Sequence, residues 1–229
     1  MAQGEPGGSA PRVGEAMCLL LLISLILLWA IRVASLYRSR HSHSKPVRTM
    51  AVLGSGGHTA EMMGLLRTLD PLTYAPMLYV IAASDSTSLQ RIEAFEQDRV
   101  SHATKGGQLL QPYQTLRIPR SREVGQSYLT SAFTTLYATL HAIALVFRSL
   151  PTFLLCNGPG TCVPICAVAL LIRLLGIKYI TIIYVESIAR VHSLSLSGRI
   201  LIHIADEFLV QWPQLADRFP KARYIGRLC

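Results

Sequence analysis

Val47-Arg48-Thr49-Met50-Ala51-Val52-Leu53-Gly54-Ser55-Gly56-Gly57-His58-Thr59 decides the fold of this chain of 229 residues. A β-rich run, Val47 to Leu53, ends in a glycine cluster, and the cluster opens onto a helical pattern. Glycine is needed where a strand turns sharply into a helix and where backbone must approach a ligand closely. The first N–H groups of that helix have no partner inside it, and they favour anions. The stretch reads as the first βα turn of a Rossmann-like domain. It is not the dinucleotide fingerprint, because Thr59 stands where Gly-x-Gly-x-x-Gly from Gly54 needs its third glycine.

Towards the N-terminus, Met17 to Ile31 is apolar except for Ser24. As a helix it covers roughly 22 Å, short of a bilayer core. If Arg32 snorkels, the stretch continues through Val33, Ala34, Leu36 and Tyr37 and is long enough to span. Arg32, Arg38, Arg40, Lys45 and Arg48 follow the run with no acid among them, whereas Glu5 and Glu15 precede it with Arg12. The positive-inside rule then puts the large C-terminal part in the cytosol. A cleaved secretory signal is the rival reading, but the basic cluster is on the wrong side and no small-x-small site follows. The expected organisation is a disordered lumenal tail (1–15), a membrane anchor (16–37), a basic linker (38–46) and one cytosolic domain (47–229).

Charge and cysteines narrow the partners. Of the net +9, residues 1–48 hold six basic and two acidic groups, leaving sixteen against eleven beyond. That excess is too mild for nucleic acid and fits lipid headgroups or a phosphate-bearing ligand. Cys18, Cys156, Cys162, Cys166 and Cys229 form no Cys-x-x-Cys pair, so reduced thiols are expected and zinc is not.

After the linker, strand and helix alternate. Strands are expected at 47–53, 77–82, 114–118, 153–156 and 178–185, with a shorter one at 208–211, a turn at Pro213 and a last short element at Tyr224-Ile225. Helices are expected at 59–69, about 88–99, 126–149, 163–175 (stopping at Gly176) and near 197–205, with 101–112 a loop. Leu129, Phe133, Leu136, Leu140, Ile143 and Phe147 form a helical stripe that reads as core-facing, with contact to a membrane surface the alternative. The alternation means a doubly wound parallel sheet.

Such sheets bind ligands beyond the carboxyl ends of their strands. Gly56, Gly57 and His58 lie there after the first strand, and Ser84 and Asp85 after the second. Asn157, Gly158, Pro159, Gly160 and Thr161 follow the fourth, and Glu186 and Ser187 the fifth. Two glycine-rich turns on one crevice suit a diphosphate. Glu186, ending an apolar strand, is either functional or held by backbone N–H groups. His58 is either a ligand or acid–base group or a satisfied core histidine, and Asp85 either a base or a helix cap. No metal spacing and no P-loop lysine is present.

Gly54–Thr59, Ile118-Pro119-Arg120-Ser121-Arg122-Glu123-Val124, Leu155–Pro164, Tyr184-Val185-Glu186-Ser187 and Val210-Gln211-Trp212-Pro213 recur in an order that closely resembles one family. This is the membrane-anchoring subunit of the eukaryotic transferase making N,N′-diacetylchitobiosyl-diphosphodolichol. The turns also resemble the acceptor-side half of the bacterial enzyme that adds N-acetylglucosamine to the lipid II precursor, a two-domain glycosyltransferase of the GT-B type. The resemblance implies the N-terminal half of a GT-B fold, with a small donor-binding partner subunit supplying the UDP-N-acetylglucosamine site. It implies a subunit inactive alone, recruiting that partner to the endoplasmic reticulum membrane, with GlcNAc-diphosphodolichol as acceptor and no cofactor or metal. Asp85 is then expected as base, His58 as catalytic or acceptor contact, and Gly56, Gly57, Thr59, Asn157, Gly158, Gly160, Thr161 and Glu186 as acceptor- and diphosphate-binding residues. Two rivals stand beside it: a membrane scaffold with no site residues, and a membrane-tethered nucleotide-dependent dehydrogenase.

Overall fold

The computed structural model describes residues 13–39, 46–105, 112–121 and 126–227. Most of the tail 1–15, most of the linker 38–46, Arg122 to Val124 of the quoted motif and Cys229 lie outside them.

Helix α1 (Val13–Arg38) precedes seven strands: β1 (Thr49–Val52), β2 (Met77–Ala82), β3 (Gln114–Ile118), β4 (Phe153–Asn157), β5 (Thr181–Val185), β6 (Glu207–Val210) and β7 (Ala222–Tyr224). Between them run α2 (Gly57–Arg67), α3 (Thr87–Lys105), α4 (Tyr128–Ser149), α5 (Cys162–Leu174), α6 (Leu196–Leu201) and α7 (Pro213–Arg218). All neighbouring strands are parallel, in the order β3-β2-β1-β4-β5-β6-β7. The direction of winding reverses at β1/β4, where a crevice opens above the strand ends.

Successive strand residues point to opposite faces, so the sheet builds two cores. Met50, Val52, Leu78, Val80, Leu154, Cys156, Ile182 and Tyr184 pack beneath α4 to α7. Ala51, Leu53, Tyr79, Ile81 and Val185 face the opposite layer with Met62, Leu66 and Ile92. Cys156 and Cys166 are free buried thiols 3.6 Å apart, in keeping with the reduced state expected. Two elements differ from expectation. The helix before the loop at 101–112 runs on to Lys105, and Pro213 opens α7 rather than a plain turn, suiting its fixed φ at a first helical position.

The larger correction concerns α4. Leu129, Phe133, Leu136 and Leu140 are 82%, 76%, 61% and 60% exposed, so the front of the stripe does not face the core. Only Ile143 and Phe147 are partly buried against it. The core side is built from Ala138, Ala142 and Val146, with Ser131 and Ser149 also buried. Small residues there let the helix axis come close to sheet and α5.

Helix α1 carries its apolar surface outward. Its last third is pinned to the end of α5: Trp29 Nε1 donates to Leu174 O at 2.8 Å and Arg32 Nε to Gly176 O at 3.1 Å. Tyr37 packs edge-on against Tyr179, centroids 5.0 Å apart. Arg32 therefore has a protein acceptor and does not depend on snorkelling. Leu171, Leu174, Leu175 and Ile177, beside that junction, are exposed apolar side chains.

Candidate functional site

The two glycine turns meet at His58. Gly56 (φ 64°) turns β1 into α2, and Gly158 (φ 73°) turns β4 towards α5. A Cβ on Gly158 would stand 2.4 Å from Cε1 and 2.5 Å from Nδ1 of His58, and one on Gly54 would stand 2.7 Å from the His58 Cβ. At Gly158 the imidazole fills the space a side chain needs, and at Gly54 the His58 Cβ and the Pro159 ring do. The Nδ1 atom is buried without a hydrogen-bond partner.

Beneath the turns lies a polar lattice that the sequence reading missed. Glu61 of α2 accepts from Asn157 Nδ2 at 3.0 Å, Ser187 Oγ at 2.8 Å and Ile188 N at 3.3 Å. One carboxylate thus ties α2 to the end of β4 and to the loop after β5. Glu61→Ala is expected to cost about 1–3 kcal/mol of stability, because those donors lose a charged acceptor. Chemical denaturation measures it.

A cavity of about 540 Å³ opens beside His58, walled by Gly158, Pro159, Gly160 and Val163 of the α5 entry. Ser121, Ser131 and Thr135 form its α4 side, and Arg190, Ser195 and Ser197 its α6 side. Ser121 is 2% exposed, and its Oγ has no hydrogen-bond partner. Among the described residues the lining is rich in hydroxyls, holds one guanidinium and no carboxylate. Such a wall can accept a sugar and an anion together.

The expected site residues separate into two groups. His58, Gly158 and Gly160 line the cavity. Gly56 and Gly57 leave open space above the start of α2, and Thr161 precedes α5 without capping it by its side chain. The others are committed elsewhere. Asp85 gives its carboxylate to Ser88, accepting from N at 3.0 Å and from Oγ at 2.7 Å, contacts that fit the helix-cap reading. Thr59 Oγ1 bonds Gly54 O and, at 2.8 Å, Ser88 Oγ. Asn157 is fully buried, its Nδ2 on Glu61 and on Val185 O at 3.3 Å.

Glu186 follows the second of its two readings. Fully buried, it accepts from Ser187 N at 3.1 Å, Ser195 N at 2.9 Å and Ser195 Oγ at 3.0 Å. It anchors the loop that presents Arg190 and Ser197, and Ser195 in turn caps α6. Burial raises its pKa above the ordinary carboxylate value, while the Ser195 and Ser187 donors and Arg190 hold the rise back. Burial, then the charge on Glu186, pushes the Tyr184 phenol up as well.

The comparisons with known proteins follow this geometry. The chain matches, over residues 49–228, the profile of a family described as "Oligosaccharide biosynthesis protein Alg14 like". It is 47% identical over 209 residues to the rat UDP-N-acetylglucosamine transferase subunit ALG14, covering 91% of this chain and 94% of the relative. The human protein of that name is 49% identical over 179 residues, 78% of this chain and 82% of the relative. Among solved structures the fold resembles Acinetobacter baumannii MurG (TM-score 0.51, 16% identity, 80% of this chain and 45% of MurG). A putative UDP-N-acetylglucosamine 2-epimerase from Listeria monocytogenes is similar at TM-score 0.50 and 16% identity, with 77% and 42% covered. The chain thus spans under half of either of these two proteins, and the likeness is one of fold, to part of a GT-B architecture. Profile, relatives and fold agree, and the chain belongs to the Alg14 family.

Proposed function

We propose that this chain is the membrane-bound, acceptor-side subunit of a UDP-N-acetylglucosamine:GlcNAc-diphosphodolichol transferase, working at the cytosolic face of the endoplasmic reticulum. The observation that carries the reading is the cavity beside His58. It joins a glycine-turned helix start, a free hydroxyl on Ser121 and the Arg190 guanidinium, a set suited to a sugar diphosphate. Arg190 and the α5 entry would hold the diphosphate, and the hydroxyls of Ser121, Ser131 and Thr135 the sugar. The attacking hydroxyl must lose a proton to a base. With Asp85 bound to Ser88, His58 is the group in the cavity placed to accept it, unless the partner supplies the base.

Nucleotide-sugar binding belongs, on this reading, to a separate donor-binding subunit. Its docking face would be the crevice side of the sheet and the stretch at Tyr224 and Ile225, two exposed apolar residues, with Arg227 stacked on Trp212 at 4.6 Å. Transfer is measured with this chain alone, the partner alone and the two together. Activity in the pair only is expected, and UDP-N-acetylglucosamine binding by this chain alone would overturn the split.

Two surfaces would meet the bilayer. Helix α1 spans it, and the exposed face of α4 lies on it, bringing the cavity on the inner side of α4 to headgroup level. Deleting residues 1–37 should therefore release the domain only in part. Full release is expected when Phe133→Glu and Leu140→Glu are added, each charge being costly at the membrane core and less so near the interface. Flotation of membranes after a salt wash checks this, and complete release on deletion alone would remove α4 from the contact.

A further inference from the structure

A second cavity, of about 320 Å³, sits between α4 and the β3 side of the sheet and shares no lining residue with the first. Arg48, Arg117 and Arg148 line it together with His141, over an apolar floor that includes Leu116 and Leu145. No carboxylate lines it among the described residues. Among the described residues, ion pairs join Arg99 to Glu96, His102 to Asp98, Arg173 to Asp206 and Arg223 to Glu207, and none reaches these arginines.

The cations are held together by the fold. Arg48 enters β1 with its carbonyl accepting from Thr152 N at 2.8 Å and Phe153 N at 3.1 Å, yet its Nε is buried without a hydrogen-bond partner. Lys178 Nζ donates to Leu150 O at 2.6 Å close by. Burial lowers the Lys178 pKa, and the charge of Arg48 lowers it further. Bringing like charges together costs energy unless an anion joins them. A buried unpaired N–H beside an arginine-lined cavity leaves a place for one.

Position selects the anion. His141 and Arg148 lie about a quarter turn round α4 from the exposed stripe of Leu129, Phe133 and Leu140. Basic groups flanking an apolar helix face stand at the depth of lipid phosphates when that face rests on a bilayer. Arg48 and Lys178 are at the amino ends of their strands, the end where α1 docks on Leu174, Gly176 and Tyr179.

We propose that this cavity binds the phosphate of an anionic glycerophospholipid, with Arg48, Arg117 and Arg148 on the phosphate and Leu116 and Leu145 against the glycerol shoulder. The inference rests on the membrane reading of α1 and α4 and is independent of the transferase reading. The site would fix the tilt of the domain and respond to the lipid composition of its membrane.

The test uses the full chain in a neutral detergent, titrated with dioctanoyl phosphatidylinositol and followed by native mass spectrometry and by the midpoint of thermal unfolding. A single saturable adduct and a raised midpoint are expected. Arg117→Gln with Arg148→Gln, both at exposed side chains, should weaken binding roughly tenfold or more, each removing a charged contact. Arg48→Gln should do the same, and Arg199→Gln, on α6, should change nothing. An equal response to dioctanoyl phosphatidylcholine, or none to any lipid, overturns the proposal. So does retention of binding in the double variant. An equal response to inorganic phosphate makes the cavity a free-anion site, and displacement of lipid by an acidic peptide makes it a protein-docking site; either overturns the lipid assignment.

Discussion

Gly158→Ala is expected to lower transfer by the reconstituted pair about 100-fold and to destabilise the chain by roughly 2–5 kcal/mol. Two costs add. A left-handed φ of 73° costs a non-glycine residue about 1–2 kcal/mol, and overpacking against the His58 ring costs about 1–3 kcal/mol more. Either the ring or the loop must move, and a displacement near 1 Å at a reacting site is worth about 100-fold in rate. His58→Ala in the same chain should return the overpacking part of the stability while leaving transfer low. The resulting coupling in a double-mutant cycle identifies the ring as the obstacle. Unchanged turnover in Gly158→Ala would mean that the crevice between the turns is not where the acceptor sits.

The second large effect is expected at Glu186. Glu186→Ala leaves the Ser187 N–H, the Ser195 N–H and the Ser195 hydroxyl without their acceptor and opens a void. The cost is about 3–5 kcal/mol, or roughly 6–20 °C in Tm for a domain of this size. Glu186→Gln keeps shape and one acceptor oxygen and should lose less. A direct diphosphate ligand would behave in the opposite way, with stability kept and transfer lost. The pH response has a definite sign. Because burial raises the Glu186 pKa in the folded chain, the native state holds that proton more tightly than the unfolded state does. Stability from this group is full below the ordinary carboxylate value and declines as pH rises through the folded one; Glu186→Gln removes that slope.

How far the sequence carried can be followed element by element. Residues 77–82 and 114–118 were read to the residue, since apolar or β-branched runs bounded by Pro76, Ser84 and Pro119 leave little freedom for the ends. The glycine turn and the parallel, doubly wound character of the sheet follow from the alternation itself. The stripe on α4 was seen correctly as one side of a helix, but periodicity says which residues share a side and not what that side meets. Alanines 138 and 142 carry too little hydrophobicity to advertise the true core face. At the site, glycines and a histidine next to a strand end are visible because their signal is local. Glu61 is not, since its partners Asn157 and Ser187 are 96 and 126 residues away in sequence. Ser121 lay within a motif noted for its resemblance, yet nothing in the motif says that its hydroxyl is left over. Position alone suggests Asp85 as base and Thr59 as a diphosphate contact; their hydrogen bonds with Ser88 and Gly54 are not visible in that argument.

The docking of α1 on the end of α5 bears on how the protein explores its surroundings. A domain on a loose tether tumbles and presents every side to the membrane in turn. Here an indole, a guanidinium and an edge-on pair of phenols clamp the stalk, so yaw and pitch are largely removed. On the proposed membrane reading, what is left would be sliding within the plane of the bilayer, a two-dimensional search by a body of constant attitude. A lipid-borne molecule drifting in that plane meets the same rim at the same height on each encounter, and the orientational entropy of the meeting has been surrendered during folding. A visitor arriving from the aqueous side finds one aspect presented, as a ship finds a berth. Loosening the clamp at Trp29 or Arg32 would leave every side chain of the crevice in place and still slow the encounter.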